Sequence, residues 1–268
     1  VMPFYIVVHL KEDVSESDTD GTGKTVVLDA GHDASNLANK SPDGTYYEHE
    51  FALDMGNRIK AILERYGVAV TMTRTGGEAV SLAQRCKIAN NIRGLDLFVS
   101  LHSNAAAGSG WSSASGWSAY VFGETSGGYA AAQRILEAVK AAGIAVRSSP
   151  IVEDPSLYVL KGTVAPAVLI EHGFHTSKED VALLKSADYR KKLAVAQCKG
   201  ILDYLGIAYD GQDSISTDTP AKDTGASAWA REAWEKAVQK GILDGSAPQG
   251  NCTREMLATV LDRLGLLD

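Results

Sequence analysis

Three apolar runs in this 268-residue sequence end in side chains that bind metals or move protons. "VVLDAGH" delivers His32, "LFVSLH" delivers His102 and "PAVLIE" delivers Glu171. A fourth group, Glu48, stands where a loop rich in Gly, Ser, Asn and Asp gives way to a helical pattern. Two imidazoles and a carboxylate make a divalent-cation set, most simply zinc with its fourth position open to water. A second carboxylate beside such an ion can take the proton of that water. Each residue alone has a plainer reading. A strand-end histidine often just hydrogen-bonds within its loop, and Glu48 and Glu50 suit the first turn of a helix. Glu171 is harder to dismiss, because a carboxylate closing an apolar run costs desolvation unless something pairs with it.

The elements that must position these groups can be read from periodicity. "KTVVLDA" is a short β-branched and apolar run closed by Gly31, which predicts a buried strand. "FALDMGNRIKAILERYG" repeats apolar residues at three and four and stops at Gly67, which predicts an amphipathic helix. "VAVTMTR" predicts a strand, "SLAQRCKIANNIRG" a helix and "LDLFVSLHS" a third strand. "GWSAYVFG", "LYVL" and "APAVLIEHGF" predict further strands, with helices in "GYAAAQRILEAVKAAG" and "YRKKLAVAQCKGILDYLG". This alternation predicts an α/β domain around an open, twisted, mostly parallel sheet flanked by helices. In such a sheet functional groups gather beyond the strand C-termini, where His32, His102 and Glu171 fall.

The bulk properties narrow the function. Hydrophobic residues make up 45% and the net charge is −7, with no basic stripe, which argues against a nucleic-acid partner. The three cysteines are far apart and form no CxxC pair, so buried free thiols are expected. The first 23 residues read as an arm: "MPFYIVVHL" is too short to span a bilayer and lacks the flanks of an export signal. Residues 208–226 are polar and read as a linker. Residues 227–268 hold two helical patterns, a module near the lower limit for folding alone.

The motifs "VVLDAGHD…YYEHEFAL", "VTMTRTG", "LAQRCKIANN", "DLFVSLHSNA", "GWSAYVFG" and "PAVLIEHGF" resemble, in order, those of zinc-dependent N-acetylmuramoyl-L-alanine amidases of the type 3 family, found in autolysins and phage endolysins. The resemblance covers roughly Lys24 to Gly206 and implies a catalytic domain over residues 24–207. By position it places the family's zinc ligands on His32, Glu48 and His102 and its catalytic glutamate on Glu171. It implies hydrolysis of the amide between N-acetylmuramic acid and L-alanine in peptidoglycan. Two positions depart from the family pattern: Asp33 stands where a second glycine is common, and His172 where a small residue is common. His49, His172 and His175 either enter the site, tune it or sit on the surface. Asn104 and Trp117 are weaker candidates for substrate contact, with Trp111 an alternative in the same loop. Arg74 and Arg85 are expected to serve the fold through ion pairs or caps.

The tail, "AWEKAVQKGILDG…NCTREMLATVLDRLG", resembles one S-layer-homology-type module. That implies a secondary cell-wall polymer as partner, with a dimerising helical hairpin, and hence a homo-oligomer, as the alternative. Action at the bacterial cell wall is implied, by a phage endolysin held in the cytoplasm until lysis or by a secreted, processed autolysin. Two other functions fit the same residues: a zinc peptidase or deacetylase acting on another amide, and a wall-binding protein without catalysis.

Overall fold

The structure, a computed structural model, describes residues 22–108 and 110–211. The expected N-terminal arm over residues 1–23 lies almost wholly outside the described residues, as does most of the linker. The module expected at 227–268 lies outside them entirely.

Chain order is β1 (Thr25–Ala30), α1 (Glu48–Arg65), β2 (Ala69–Met72), α2 (Leu82–Asn90), β3 (Leu97–Asn104) and β4 (Trp117–Val121). There follow α3 (Gly127–Ala141), β5 (Val146–Glu153), α4 (Tyr158–Gly162), β6 (Ala167–Phe174), α5 (Lys178–Lys185) and α6 (Ala187–Tyr204). The strands form one six-stranded sheet in the order β2-β1-β3-β6-β4-β5. All its pairings are parallel except that of β4 with β6.

Alternation along the strands divides the core in two. Val26, Leu28, Val99, Leu101, Val168 and Ile170 face a large layer built from α1, α3 and α6. Val27, Phe98 and Leu169 face a smaller cluster with Cys86 and Ala89 of α2 and Leu160 of α4. Two residues further along each strand, this thinner face carries Asp29, Ser100 and Glu171, with His102 two beyond Ser100. Asp29, Ser100, His102 and Glu171 thus sit on the lightly covered face, near the strand C-termini. The opposite layer is tightly closed. A Cβ on Gly200 would come within 2.4 Å of the Ile135 Cα, so α6 and α3 meet there backbone to backbone.

Several local expectations change. "LYVL" is not a strand; its last three residues start the five-residue helix α4, introduced by a turn in which Asp154 Oδ1 accepts from Ser156 N at 2.9 Å. Strand β5 carries Pro150 and no buried residue, so it shows no alternation, and a proline is tolerated because β5 is an edge strand. Helix α5 is eight residues long, with Ser177 accepting from Asp180 N as its cap. Trp117 does not line a groove. It is fully buried in the core layer that α3 and α6 cover, so its role is packing. Cys86 is a buried free thiol and Cys198 is buried, while Cys252 lies outside the described residues.

Candidate active site

His32, Glu48 and His102 come from three separate elements and meet at one point. One ligand-type atom from each lies within 4.8 Å of the others. Glu48 Oε1 is 3.3 Å from His32 Nε2 and 2.9 Å from His102 Nδ1. The two imidazole rings sit edge to face with centroids 5.0 Å apart.

Local structure brings each one there. His32 follows β1 in the left-handed region, at φ 54°, which turns its ring back over the sheet end. The carboxamides of Asn36 and Asn39 hold the ring, with contacts of 3.0 Å to Nδ1 and 2.8 Å to Nε2. Gly31 must be glycine, since a Cβ there would lie 2.3 Å from the His102 ring. The loop between His32 and Glu48 folds back on itself through an antiparallel bridge between Lys40 and Tyr47. Glu48 begins α1 yet turns its carboxylate away from its own helix, accepting from Ser103 N at 3.0 Å.

Two arginines clamp this arrangement. Arg74, fully buried, donates to the carbonyls of Ala30, Gly31, Gly76 and His49, and so ties the end of β1 to the start of α1. Arg85 pairs with Asp29 at 2.6 Å and donates to the carbonyls of Ala30, His32 and Val80. Both serve the fold, as expected, and the part they serve is the pair of loops that present His32 and Glu48.

The buried polar network shows what the three side chains lack. Asp29, paired with Arg85, is an acceptor only, so Ser100 Oγ donates to it at 2.6 Å. Ser100 Oγ must then accept from His102 Nε2, 3.1 Å away. That puts the ring proton on Nε2 and leaves the Nδ1 lone pair facing a carboxylate oxygen. A cation between them satisfies both, and a ligand histidine whose other nitrogen is anchored is the usual arrangement at metal centres. The residues present therefore fit a divalent ion.

Glu171 is paired in register with His102 on the neighbouring strand. Burial first, and the charge of Glu48 second, push its carboxyl well above the usual range, with Arg147 opposing. Its Oε2 is buried without a hydrogen-bond partner among the described residues. Beside His32 and His102 a cleft of about 400 Å³ opens, rimmed by Asp33, Asn36, Leu82 and Tyr158.

Three further histidines among the described residues, His49, His172 and His175, are not surface residues. His172 is buried, with Nδ1 2.7 Å from the His102 carbonyl and Nε2 3.0 Å from Gln197 Oε1. His175 is buried, with Nδ1 2.9 Å from the Ser103 carbonyl. Both brace the β3 segment that carries His102. His49 is buried too, and its backbone carbonyl is held by Arg74. Asn104 lies at the end of β3, its Oδ1 accepting from Ala105 N and its Nδ2 donating to the Tyr120 hydroxyl at 3.3 Å. Trp111 is partly buried against the core, with the Lys178 ammonium 5.7 Å above its ring. Sequence reasoning missed Asp29, Ser100 and Ser103 as supports. Asp29 and Ser100 had left a trace, as polar residues inside otherwise apolar runs.

Comparison with known proteins gives a consistent result. A family model described as N-acetylmuramoyl-L-alanine amidase matches residues 26–203. The chain is 32% identical over 192 residues to an endolysin of Bacillus phage SPP1, which covers 69% of this chain and 67% of that protein. It is 30% identical over 188 residues to the N-acetylmuramoyl-L-alanine amidase LytC of Bacillus subtilis, covering 68% of this chain and only 36% of LytC. Among solved structures, the catalytic domain of the amidase CwlV from Bacillus (Paenibacillus) polymyxa superposes with a TM-score of 0.62 at 29% identity. That likeness covers 69% of this chain and 99% of the CwlV domain. The chain belongs to the N-acetylmuramoyl-L-alanine amidase family.

Proposed function

We propose that this chain is a zinc-dependent peptidoglycan amidase that hydrolyses the amide joining N-acetylmuramic acid to L-alanine of the stem peptide. The observation that carries the proposal is the convergence of His32, Glu48 and His102 within 4.8 Å, beside Glu171 on the adjoining strand. His32, Glu48 and His102 would hold the ion, and Glu171 would be the catalytic acid–base. When bound, zinc supplies a Lewis acid that polarises the scissile carbonyl and acidifies water.

The chain's own groups do the rest. Glu171 accepts the proton of the attacking water and returns it to the departing amine of L-alanine. Its buried, unpartnered oxygen favours that exchange, because burial raises the carboxyl and makes it a stronger base for the water proton. Ser100 and Asp29 hold His102 in one tautomer, and Arg74 and Arg85 hold the loops of Glu48 and His32. The cleft rimmed by Leu82 and Tyr158 offers a partly apolar wall to the muramoyl side of the substrate.

The catalytic unit in this reading is residues 24–207, joined by a linker over 208–226 to a module at 227–268. That module would hold the enzyme on the wall through a secondary polymer, or pair two copies. The place of action is the bacterial cell wall. The test is product analysis on purified peptidoglycan: new L-alanine amino termini without new reducing ends support the amidase. Cleavage inside the stem peptide, or release of acetate, would instead indicate a peptidase or a deacetylase on the same residues.

A further inference from the structure

Beyond Glu171 the sheet continues into β4 and β5, and its polar face there carries a group the reaction above does not use. In register, His102 on β3 pairs with Glu171 on β6, and Glu171 pairs with Ser118 on β4. Trp117 pairs with Val146, which brings Arg147 of β5 alongside the end of this row. Strands are spaced about 4.8 Å apart, so a side chain as long as arginine reaches back toward Glu171. Two contacts fix where it goes. Arg147 Nη1 donates to the Tyr120 hydroxyl at 3.3 Å, and its guanidinium lies 5.4 Å over the Phe174 ring.

Tyr120 is held from the other side as well. Its hydroxyl also accepts from Asn104 Nδ2, whose carboxamide orientation is set by the Ala105 N–H on Oδ1. Tyr120 is on β4 and Asn104 on β3, with β6 running between them. Tyr120 is level with Leu169, and Asn104 with Phe174, so their bond crosses the thinner face past Glu171. Arg147 is thus a stacked, half-buried guanidinium with no carboxylate within ion-pairing distance among the described residues. Most of its planar donor fork is unspent. Such a group suits a carboxylate, bound through two parallel N–H bonds.

The direction of the substrate follows from the order of groups along the sheet edge. From β1 to β5 they run His32, His102, Glu171, Tyr120, Arg147. In the proposed amidase reaction the scissile carbonyl belongs beside the two histidines. The nitrogen belongs beside Glu171, which returns the proton to it. Whatever is attached to that nitrogen therefore continues toward β4 and β5. That limb is the stem peptide. Its second residue is commonly D-glutamate joined through its side chain, which keeps an α-carboxylate free unless it is amidated.

We infer that Arg147, oriented by Tyr120 and Phe174, recognises the free α-carboxylate at the second position of the stem peptide and so sets a preference for non-amidated peptidoglycan. This rests on the amidase reading.

The probes are two soluble muramoyl tetrapeptides that differ only in carrying D-glutamate or D-isoglutamine at position two, given to the zinc-loaded 268-residue chain. Wild type is expected to favour the acid in kcat/KM by roughly 10- to 100-fold, the range of one charge-assisted bond. Arg147→Gln should bring the ratio of kcat/KM on the two probes down to about one, and Arg147→Lys should restore part of the preference. Equal wild-type rates on the two probes would overturn the inference and leave the amidase reading intact. So would an Arg147→Gln variant that slows both probes alike. Cleavage of neither probe by wild type would overturn the amidase reading and this inference with it.

Discussion

Gly31 is the residue on which the site's geometry turns. It has no side chain because the His102 ring occupies the space a Cβ would take, 2.3 Å away. Gly31→Ala should push that ring off Glu48, lower bound zinc and cut turnover on the order of 100-fold, as ångström-scale misplacements do. Metal analysis of the purified variant checks this, and full zinc loading would contradict it. Glu171 makes the complementary case. Glu171→Gln should keep its zinc and its melting temperature while losing about 10²- to 10⁴-fold in kcat, the span of general acid–base catalysis. His32, His102 and Glu171 stand out in the sequence because each closes an apolar run, an expensive place for a polar group, whereas Glu48 is marked only by its place at a helix start. Trp117 was misleading for the converse reason: tryptophan suits a sugar-binding groove and a core equally well, and only strand alternation on β4 assigned it to the core.

Among the elements, the supports of the site matter as much as the ligands. Arg85 joins α2 to the end of β1 through Asp29 and the carbonyls of Ala30 and His32, and also donates to the Val80 carbonyl ahead of its own helix. Arg85→Met would leave Asp29 buried with its charge uncompensated. The expected cost is about 3–5 kcal/mol, read as a lower denaturant midpoint with an unchanged slope. An unchanged midpoint would mean that Asp29 does not depend on Arg85. Strands β1, β3 and β6 and helices α1, α3 and α6 could be read directly because each buries a full apolar face. Strand β5 and helix α4 could not. The first is an edge strand with no buried residue, and the second is only five residues long. The relay from Asp29 through Ser100 to His102 was hidden for another reason: it depends on β1 and β3 being neighbours, and strand order is not written in periodicity.

Taken as a whole, the described residues place one thick helical layer of apolar packing on one face of the sheet, and a thinner apolar cluster with Asp29, Ser100, His102 and Glu171 on the other. Burial of His172 beneath α6 has a measurable consequence for the entire fold. It pushes the imidazole down to about 4 from an ordinary 6.5. The unfolded chain therefore takes up a proton near pH 6.5 that the folded chain refuses until near pH 4. The stability contributed by neutral His172 is complete above pH 6.5 and is lost as the pH falls toward 4, by roughly 3 kcal/mol at most. Melting temperatures at pH 7.5 and 5.0 should fall more steeply for wild type than for His172→Gln, and parallel slopes would contradict this. Among the described residues no helix is long and apolar enough to cross a membrane.

The most direct test joins metal content to products, for wild type and Glu171→Ala on purified peptidoglycan. Both proteins should carry about one zinc per chain; wild type should release new L-alanine amino termini without new reducing ends, and the variant should release nothing. A chain without zinc that still releases stem peptides, or a Glu171→Ala variant as active as wild type, would contradict the zinc amidase reading.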